Sequence, residues 1–270
     1  MMNLFLRPPL LALLLTLSPL AAGPVCAGAW PLAEGTGQMI LTLGASRSDA
    51  GFDGRDSGRG LEFRKWELSP LLTWGLDAET SLFLKPTLQR LSADRSGGGT
   101  DRTTGLTDTE LGFTRAVWRG TDSVLSFQPM LRLPLFYDSD DSPALGSGHA
   151  DAEMRVLYGR NLTLAGLPGF FDGQLAWRQR TGAPANEANL DLTLGLRPQA
   201  DLMLLLQSFN TVTLGHAGNG YDQTRRYKLQ LSAVQQLTPT VSVQIGANKA
   251  VGGRNDGNEL GGLLALWVGF

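Results

Sequence analysis

Read backwards from the last residue, the chain alternates. In Leu264, Leu266, Val268 and Phe270 apolar side chains take every second place, with Ala265, Trp267 and Gly269 between them. A period of two sends successive side chains to opposite faces of a strand, so one face is selected for an apolar surrounding and the other is not. The rhythm recurs upstream. Val241, Val243, Ile245 and Ala247 alternate with Ser242, Gln244, Gly246 and Asn248; Tyr227, Leu229, Leu231 and Ala233 alternate with Lys228, Gln230, Ser232 and Val234; and Leu190, Leu192, Leu194 and Leu196 alternate with Asp191, Thr193, Gly195 and Arg197. The same reading predicts strands over 38–46, 61–74, 81–91, 106–118, 124–133, 152–160, 171–180 and 202–213, which brings the total to twelve.

The spaces between these strands alternate between short and long. Short turns are predicted at 75–79, 120–122, 198–201 and 238–240, with 161–169 as the one long exception on that side. Longer Gly-, Asp- and Ser-rich loops are predicted at 49–60, 92–104, 134–150, 181–188, 215–223 and 252–258. An even number of strands returns the chain to the side on which it began. The pattern therefore describes an all-β, transmembrane, antiparallel up-and-down barrel of about twelve strands, its long loops facing outwards. Trp74, Trp118, Tyr158 and Phe270 all end strands on the short-turn side, where amphipathic rings suit a headgroup layer, and are expected to form an inner aromatic girdle. Pro70, Pro86 and Pro129 fall inside predicted strands and each removes a ladder donor, so bulges or frayed rims are expected there. Arg115 takes the lipid-side parity of its strand, which calls for a bulge or register shift nearby.

The start of the chain agrees with export. Arg7 precedes an apolar run from Leu10 to Leu20 and small residues follow, so residues 1–27 read as a signal peptide cleaved after Ala27 and residues 28–270 as one barrel domain. That run is too short for a comfortable membrane helix, and nothing later approaches about 20 uninterrupted apolar residues. A lipidated Cys26 is disfavoured, because Gly23 and Val25 occupy the places where a lipobox needs Leu and a small residue. Cleavage after Ala27 leaves no thiol, and with only two His in the chain neither a metal site nor a cofactor is expected. The mature portion would carry 22 basic and 25 acidic residues, both signs dispersed. This is no nucleic-acid footprint.

With the apolar alternates facing lipid, the remaining places line a lumen. The expected lining bases are Lys65, Lys85, Arg132, Arg155, Arg178, Arg180, Arg197 and Lys228, and the acids are Glu67, Asp108, Glu110, Asp151, Glu153, Asp172 and Asp191. Near balance of signs suits a transverse field across a solute constriction. It equally suits a salt-bridged interior, the preferred of the two readings. The loop 134–150, with Asp138, Asp140, Asp141 and His149, offers a cation site, an inward gate or, the preferred reading, a solvated acidic surface. Its spacing matches no calcium loop. The segment Gly215-His216-Ala217-Gly218-Asn219-Gly220 resembles the H-x-S-N-G of outer-membrane phospholipase A, but Gly218 stands where the nucleophilic hydroxyl belongs, so no enzyme is expected.

The C-terminal aromatic with apolar residues at alternate places resembles the signal that hands outer-membrane barrels to their assembly machinery, which implicates Phe270. A wider resemblance rests on Trp30-Pro31-Leu32-Ala33-Glu34-Gly35-Thr36-Gly37-Gln38, on Lys65-Trp66-Glu67 leading to Trp74-Gly75-Leu76-Asp77, and on Gly105-Leu106-Thr107-Asp108-Thr109-Glu110-Leu111-Gly112. Ala176-Trp177-Arg178-Gln179-Arg180, Asn186-Glu187 and Asp191-Leu192-Thr193-Leu194-Gly195 continue it. These motifs are similar to the outer-membrane barrels labelled MetA-pathway of phenol degradation. The resemblance implies a channel associated with uptake of aromatic compounds and carries no catalytic or ligand residue across. The expectations are thus an outer-membrane monomer in contact with lipid and a small-molecule solute, with a lipid hydrolase or a closed structural barrel as alternatives.

Overall fold

The computed structural model describes residues 28–52, 62–137, 141–215, 218 and 223–270. The expected signal peptide and His216 lie outside the described residues. Fourteen strand segments follow one another in the chain: β1 (Gly37–Ser48), β2 (Phe63–Gly75), β3 (Thr80–Lys85), β4 (Leu88–Asp94), β5 (Thr100–Leu106), β6 (Thr109–Arg119), β7 (Ser123–Leu133), β8 (Asp151–Leu164), β9 (Leu167–Arg180), β10 (Asn186–Gln199), β11 (Leu202–Leu214), β12 (Arg225–Gln236), β13 (Val241–Arg254) and β14 (Leu260–Gly269). Every pairing is antiparallel, and β1 pairs with both β14 and β2, from Gln38↔Gly269 and Gly37↔Trp74 upward. The sheet is therefore closed. Closure pairs the strands of the ring on both sides, the condition for a sheet to stand in hydrocarbon where water cannot satisfy free N–H and C=O groups, while β5 at the loop rim pairs only with β4 among the described residues.

The fourteen segments make twelve staves. β3 and β4 run end to end along β2, which holds β3 through Leu72↔Leu84 and β4 through Leu68↔Leu88. β5 and β6 likewise form one stave against them. The interruption falls at Pro86 and Thr87, beside Pro70 on β2, so these prolines mark a gap within the wall and not a frayed rim. From Lys85 to Leu88 the third stave gains three residues while its partner, from Glu110 back to Leu106, uses four. One extra residue is thereby accommodated around Asp108, next to the Thr107 N–H that donates to the Thr87 carbonyl at 2.8 Å. Pro129 sits in a continuous β7–β8 register opposite Met154.

Two expectations for the connections are corrected. The segment 161–169 is no long loop: β8 and β9 pair down to Leu164↔Leu167, and Ala165 and Gly166 turn the chain alone, with φ of 53° and 81°. Two central residues at positive φ make the mirror-image turn whose twist suits a hairpin. Residues 92–104 are also mostly strand, with a tight turn from Arg95 to Gly99, where the Arg95 N–H donates to the Gly99 carbonyl at 3.0 Å. Arg115 stays on the outside. The register slip lies beyond it, between Ala116 and Trp118, and Arg115 instead reaches the rim, with Glu79 at 3.6 Å and Thr80 at 3.3 Å.

The outer surface explains the alternation. Leu68, Leu72, Leu82, Leu84, Leu88, Leu111, Phe113, Val156, Leu175, Leu204, Leu206, Leu231, Ile245 and Leu264 are all exposed. So large an apolar surface would aggregate in water and belongs against lipid. Trp74, Trp118, Tyr158 and Phe270 are exposed at the rim that carries the chain's last residue, and the Trp74 and Phe270 rings lie 5.9 Å apart.

Candidate functional site: the barrel interior

Inward places combine three chemistries. Towards the loop rim stands a continuous chain of ion pairs built on neighbouring staves. Glu153 on β8, 1% exposed, accepts from Arg155, from Arg178 at 2.8 Å and from Arg132 at 3.4 Å. Arg132 also binds Glu110, which has Lys85 at 3.7 Å. Arg155 reaches Asp191 at 2.8 Å, Arg178 reaches Glu187 at 2.7 Å, and Arg180 joins Glu187 at 2.9 Å to Asp151 at 3.2 Å. Registers explain the proximity: Glu153 is cross-strand to Arg178, Arg178 to Glu187, and Arg132 to both Glu110 and Asp151. Buried charges of this kind are tolerable because each one has an opposite charge within reach, although Arg132 Nε, Arg180 Nε and Asp151 Oδ1 are buried without a hydrogen bond.

On the opposite wall a smaller group forms. Glu259, in the turn before β14, has Lys228 at 2.9 Å and Lys65 at 3.9 Å, and Lys65 also holds Glu67 at 3.1 Å. Burial works against the Glu259 carboxylate, but Lys65 and Lys228 outweigh it and hold its pKa down at about 2. Between charge and floor lies an amide and hydroxyl zone, in which Gln230 donates to Gln207 at 2.8 Å, Gln244 to Ser232 at 2.9 Å and Gln128 to Thr114 at 2.7 Å.

The floor is apolar, and part of it comes from outside the strands. The segment before β1 enters the barrel at the terminal rim. Ala29 is 0% exposed; its N–H donates to the Asp172 carboxylate at 2.9 Å and its carbonyl accepts from Ser126 Oγ at 2.5 Å. Leu32 N–H donates to Ser81 Oγ at 2.7 Å, and Pro31 has no N–H to satisfy. Inward-facing side chains thus take over the backbone groups that the segment brings away from water. Trp30 meets Phe170 edge to face at 6.4 Å and lies over Gly159, where an added Cβ would fall 2.4 Å from its ring. Ala29, Ala116, Val124 and Leu157 form one buried apolar cluster and Phe170, Met203, Leu205 and Val234 another, both touched by Trp30.

A cavity of about 720 Å³ remains above this floor. Lys65, Glu67, Lys85, Glu110, Arg155, Asp172, Asp191 and Lys228 border it. Arg132, Asp151, Glu153, Arg178 and Arg180 belong to the ion-pair chain beyond it. Asp108, beside the extra residue, accepts from Tyr137 Oη at 2.5 Å, and Arg197 stands where β10 slips against β11 between Leu196 and Gln199; neither borders the cavity. Sequence reading passed over Glu187 because it fell in the expected loop 181–188, and Glu259 because it lay between the expected loop 252–258 and the last expected strand. It also passed over Gly28 to Leu32, whose apolar character alone gives no sign of a place inside a barrel.

The described parts of the loop, 134–137 and 141–150, lie against the inner face of the wall. Leu145 is 6% exposed and lies close to Gly105, while Tyr137 binds Asp108 and accepts from the Gly148 N–H at 3.0 Å. Asp138 and Asp140 lie outside the described residues, and among the described residues no group of three or more His, Cys, Asp or Glu could hold a metal ion.

A closed twelve-stave antiparallel barrel with an apolar skin and a polar, charged interior is an outer-membrane barrel, and its fold is one that channels use. The COG4313 outer membrane channel from Pseudomonas putida F1 is similar to it with a TM-score of 0.71 and 15% identity, over 91% of this chain and 99% of that one. The transport unit of the autotransporter AIDA-I from Escherichia coli is similar with a TM-score of 0.54 and 11% identity, over 87% and 90%, and the beta domain of the Bordetella autotransporter BrkA with 0.52 and 13%, over 88% and 100%. No protein-family model and no curated protein matches the chain.

Proposed function

We propose that this protein is an outer-membrane channel that admits a small solute from the loop side into the interior cavity. The observation that carries the reading is the cavity itself, about 720 Å³ enclosed by a closed barrel and graded from paired charges at one end to Trp30, Phe170, Met203 and Leu205 at the other. Such a gradient suits a small molecule with an apolar body. The motif resemblance to the MetA-pathway barrels points to the same class, small hydrophobic or aromatic compounds. The predicted lining charges other than Asp108 and Arg197 serve here as a constriction that rejects large solutes, and the barrel acts as a monomer with Phe270 presented to the assembly machinery.

A second reading, a barrel closed at rest, is favoured by one observation: the residues 28–32 and the ion-pair chain both occupy space that an open pore needs. A hydrolase has less support, since Gly218 offers no hydroxyl for acyl transfer. Liposome swelling with a graded panel of sugars, amino acids and small aromatics tests the proposal. Faster swelling with the small and aromatic members supports it; no solute-dependent swelling and no current in planar bilayers would leave only the closed barrel.

A further inference from the structure

One charged surface plays no part in the lumen. On the outside of the barrel, at the loop rim, the registers place Arg47 beside Arg64, Arg64 beside Ser92, and Ser92 beside Arg102. On the other side Arg47 neighbours Leu260, and Leu260 neighbours Lys249. All share the outward parity, so four cations stand in one row across six staves. One step towards the membrane, Arg90 is cross-strand to Trp66. A cleft of about 570 Å³ opens between these side chains, lined by Glu62, Arg64, Trp66, Arg90, Ser92, Asp94, Thr100 and Arg102.

Like charges set side by side across strands repel each other and destabilise a sheet. The acids nearby only partly compensate: Glu62 binds Arg64 at 2.5 Å, and Asp94 accepts from Thr100 at 2.9 Å. Arg47, Arg90 and Arg102 have no ion pair among the described residues. An anion is what such an arrangement lacks.

Height identifies which anion. Trp66, 55% exposed, and Trp74 lie on the same outer face of β2, eight residues and about 27 Å apart along the strand. With a stave tilt of about 40° this becomes about 20 Å along the barrel axis, close to the apolar band of an outer-membrane barrel. Trp66 and Trp74 thus mark its two edges. The arginine row lies just beyond the Trp66 edge, at headgroup level on the loop side, directly above Leu68 and Leu88.

We infer that the outer face of β2, β4 and β5 binds a phosphorylated glycolipid of the outer leaflet, its phosphates held by Arg64, Arg90 and Arg102 and its acyl chains lying along Leu68 and Leu88 below Trp66. Guanidinium groups suit this task because they present planar donor pairs to phosphate oxygens. The inference rests on the outer-membrane reading but not on solute passage.

The test uses the full mature chain in detergent, with bisphosphoryl lipid A and its dephosphorylated form as probes in native mass spectrometry. The native chain retains the bisphosphoryl form in preference to the dephosphorylated one. Arg64→Ala, Arg90→Ala and Arg102→Ala combined lowers that retention about a hundredfold, whereas Arg160→Ala at the opposite rim leaves it unchanged. Heat-dependent gel migration confirms that each variant is a folded barrel, and if the triple variant does not fold, Arg102→Ala alone takes its place with a smaller loss. Equal retention of the two lipids, equal retention by the variant, or displacement by millimolar inorganic phosphate, which would mark a free-phosphate site, each overturns the inference. Bilayer current through the same samples reports separately on the channel.

Discussion

Ala29 and Asp172, 143 residues apart in the chain, are joined by a hydrogen bond of 2.9 Å from the Ala29 N–H to the Asp172 carboxylate, inside the barrel. It ties the segment before the first strand to the wall at β9. The floor of the cavity depends on this tether and on Trp30, which fills the space above Gly159.

Trp30→Ala should therefore enlarge the passage. Loss of the ring removes its edge-to-face contact with Phe170 and the cover over Gly159. Single-channel conductance is expected to rise several-fold, and Asp172→Ala to act in the same direction by releasing Ala29. Unchanged conductance in both variants would show that the segment does not limit the path.

Glu153 is the hub of the ion-pair chain, with three arginines on one carboxylate. Glu153→Gln keeps the volume but removes the charge, leaving Arg132, Arg155 and Arg178 under-compensated in a buried setting. The expected cost is about 3–5 kcal/mol, read as a lower midpoint in urea unfolding from detergent or lipid. A change of less than about 1 kcal/mol would mean that solvent screens the network.

The Glu259 group responds to acid later than an ordinary carboxylate. Its pKa is depressed from 4.5 to about 2, so its contribution to stability is complete above about pH 4.5 and lost as pH falls towards 2. Between pH 7 and pH 5 the group should contribute no change in stability. Lys228→Met removes the cation at 2.9 Å and is expected to bring the loss up towards pH 4, seen by comparing the acid-unfolding profiles of the two proteins.

At the β8–β9 turn, Ala165 holds a φ of 53°, a region that costs a residue with a Cβ about 1–2 kcal/mol. Ala165→Asn supplies the residue that mirror-image turns favour and should stabilise by about 0.5–1 kcal/mol, while Gly166→Ala should destabilise by about 1 kcal/mol or more. Thermal unfolding of the pair checks both signs.

Much of this architecture was legible in the chain, because the period of two is local: each residue's face follows from its neighbour's, whatever lies across the sheet. The alternation in Leu190 to Leu196 was enough to assign lipid and lumen sides, and the twelve staves and the outward Trp74, Trp118, Tyr158 and Phe270 followed from the same count. Balanced inward charge was legible too, and so was its preferred reading as ion pairs. Which charges meet was decided by register, a relation between staves. Glu187 and Glu259 became partners only because the β9–β10 pair and the β12, β13, β14 run bring Arg178 and Lys228 to them, and Asp108 left the common parity through one extra residue opposite the Pro86 break. Ala165-Gly166 lacks the Asn-Gly signature of a tight turn, so the hairpin was visible only once Leu164 and Leu167 paired. The place of Ala29 and Trp30 was a matter of tertiary structure alone, since a short apolar segment carries no period of its own and its hydrogen-bond partners, Asp172, Ser126 and Ser81, lie on three separate staves that only ring closure assembles.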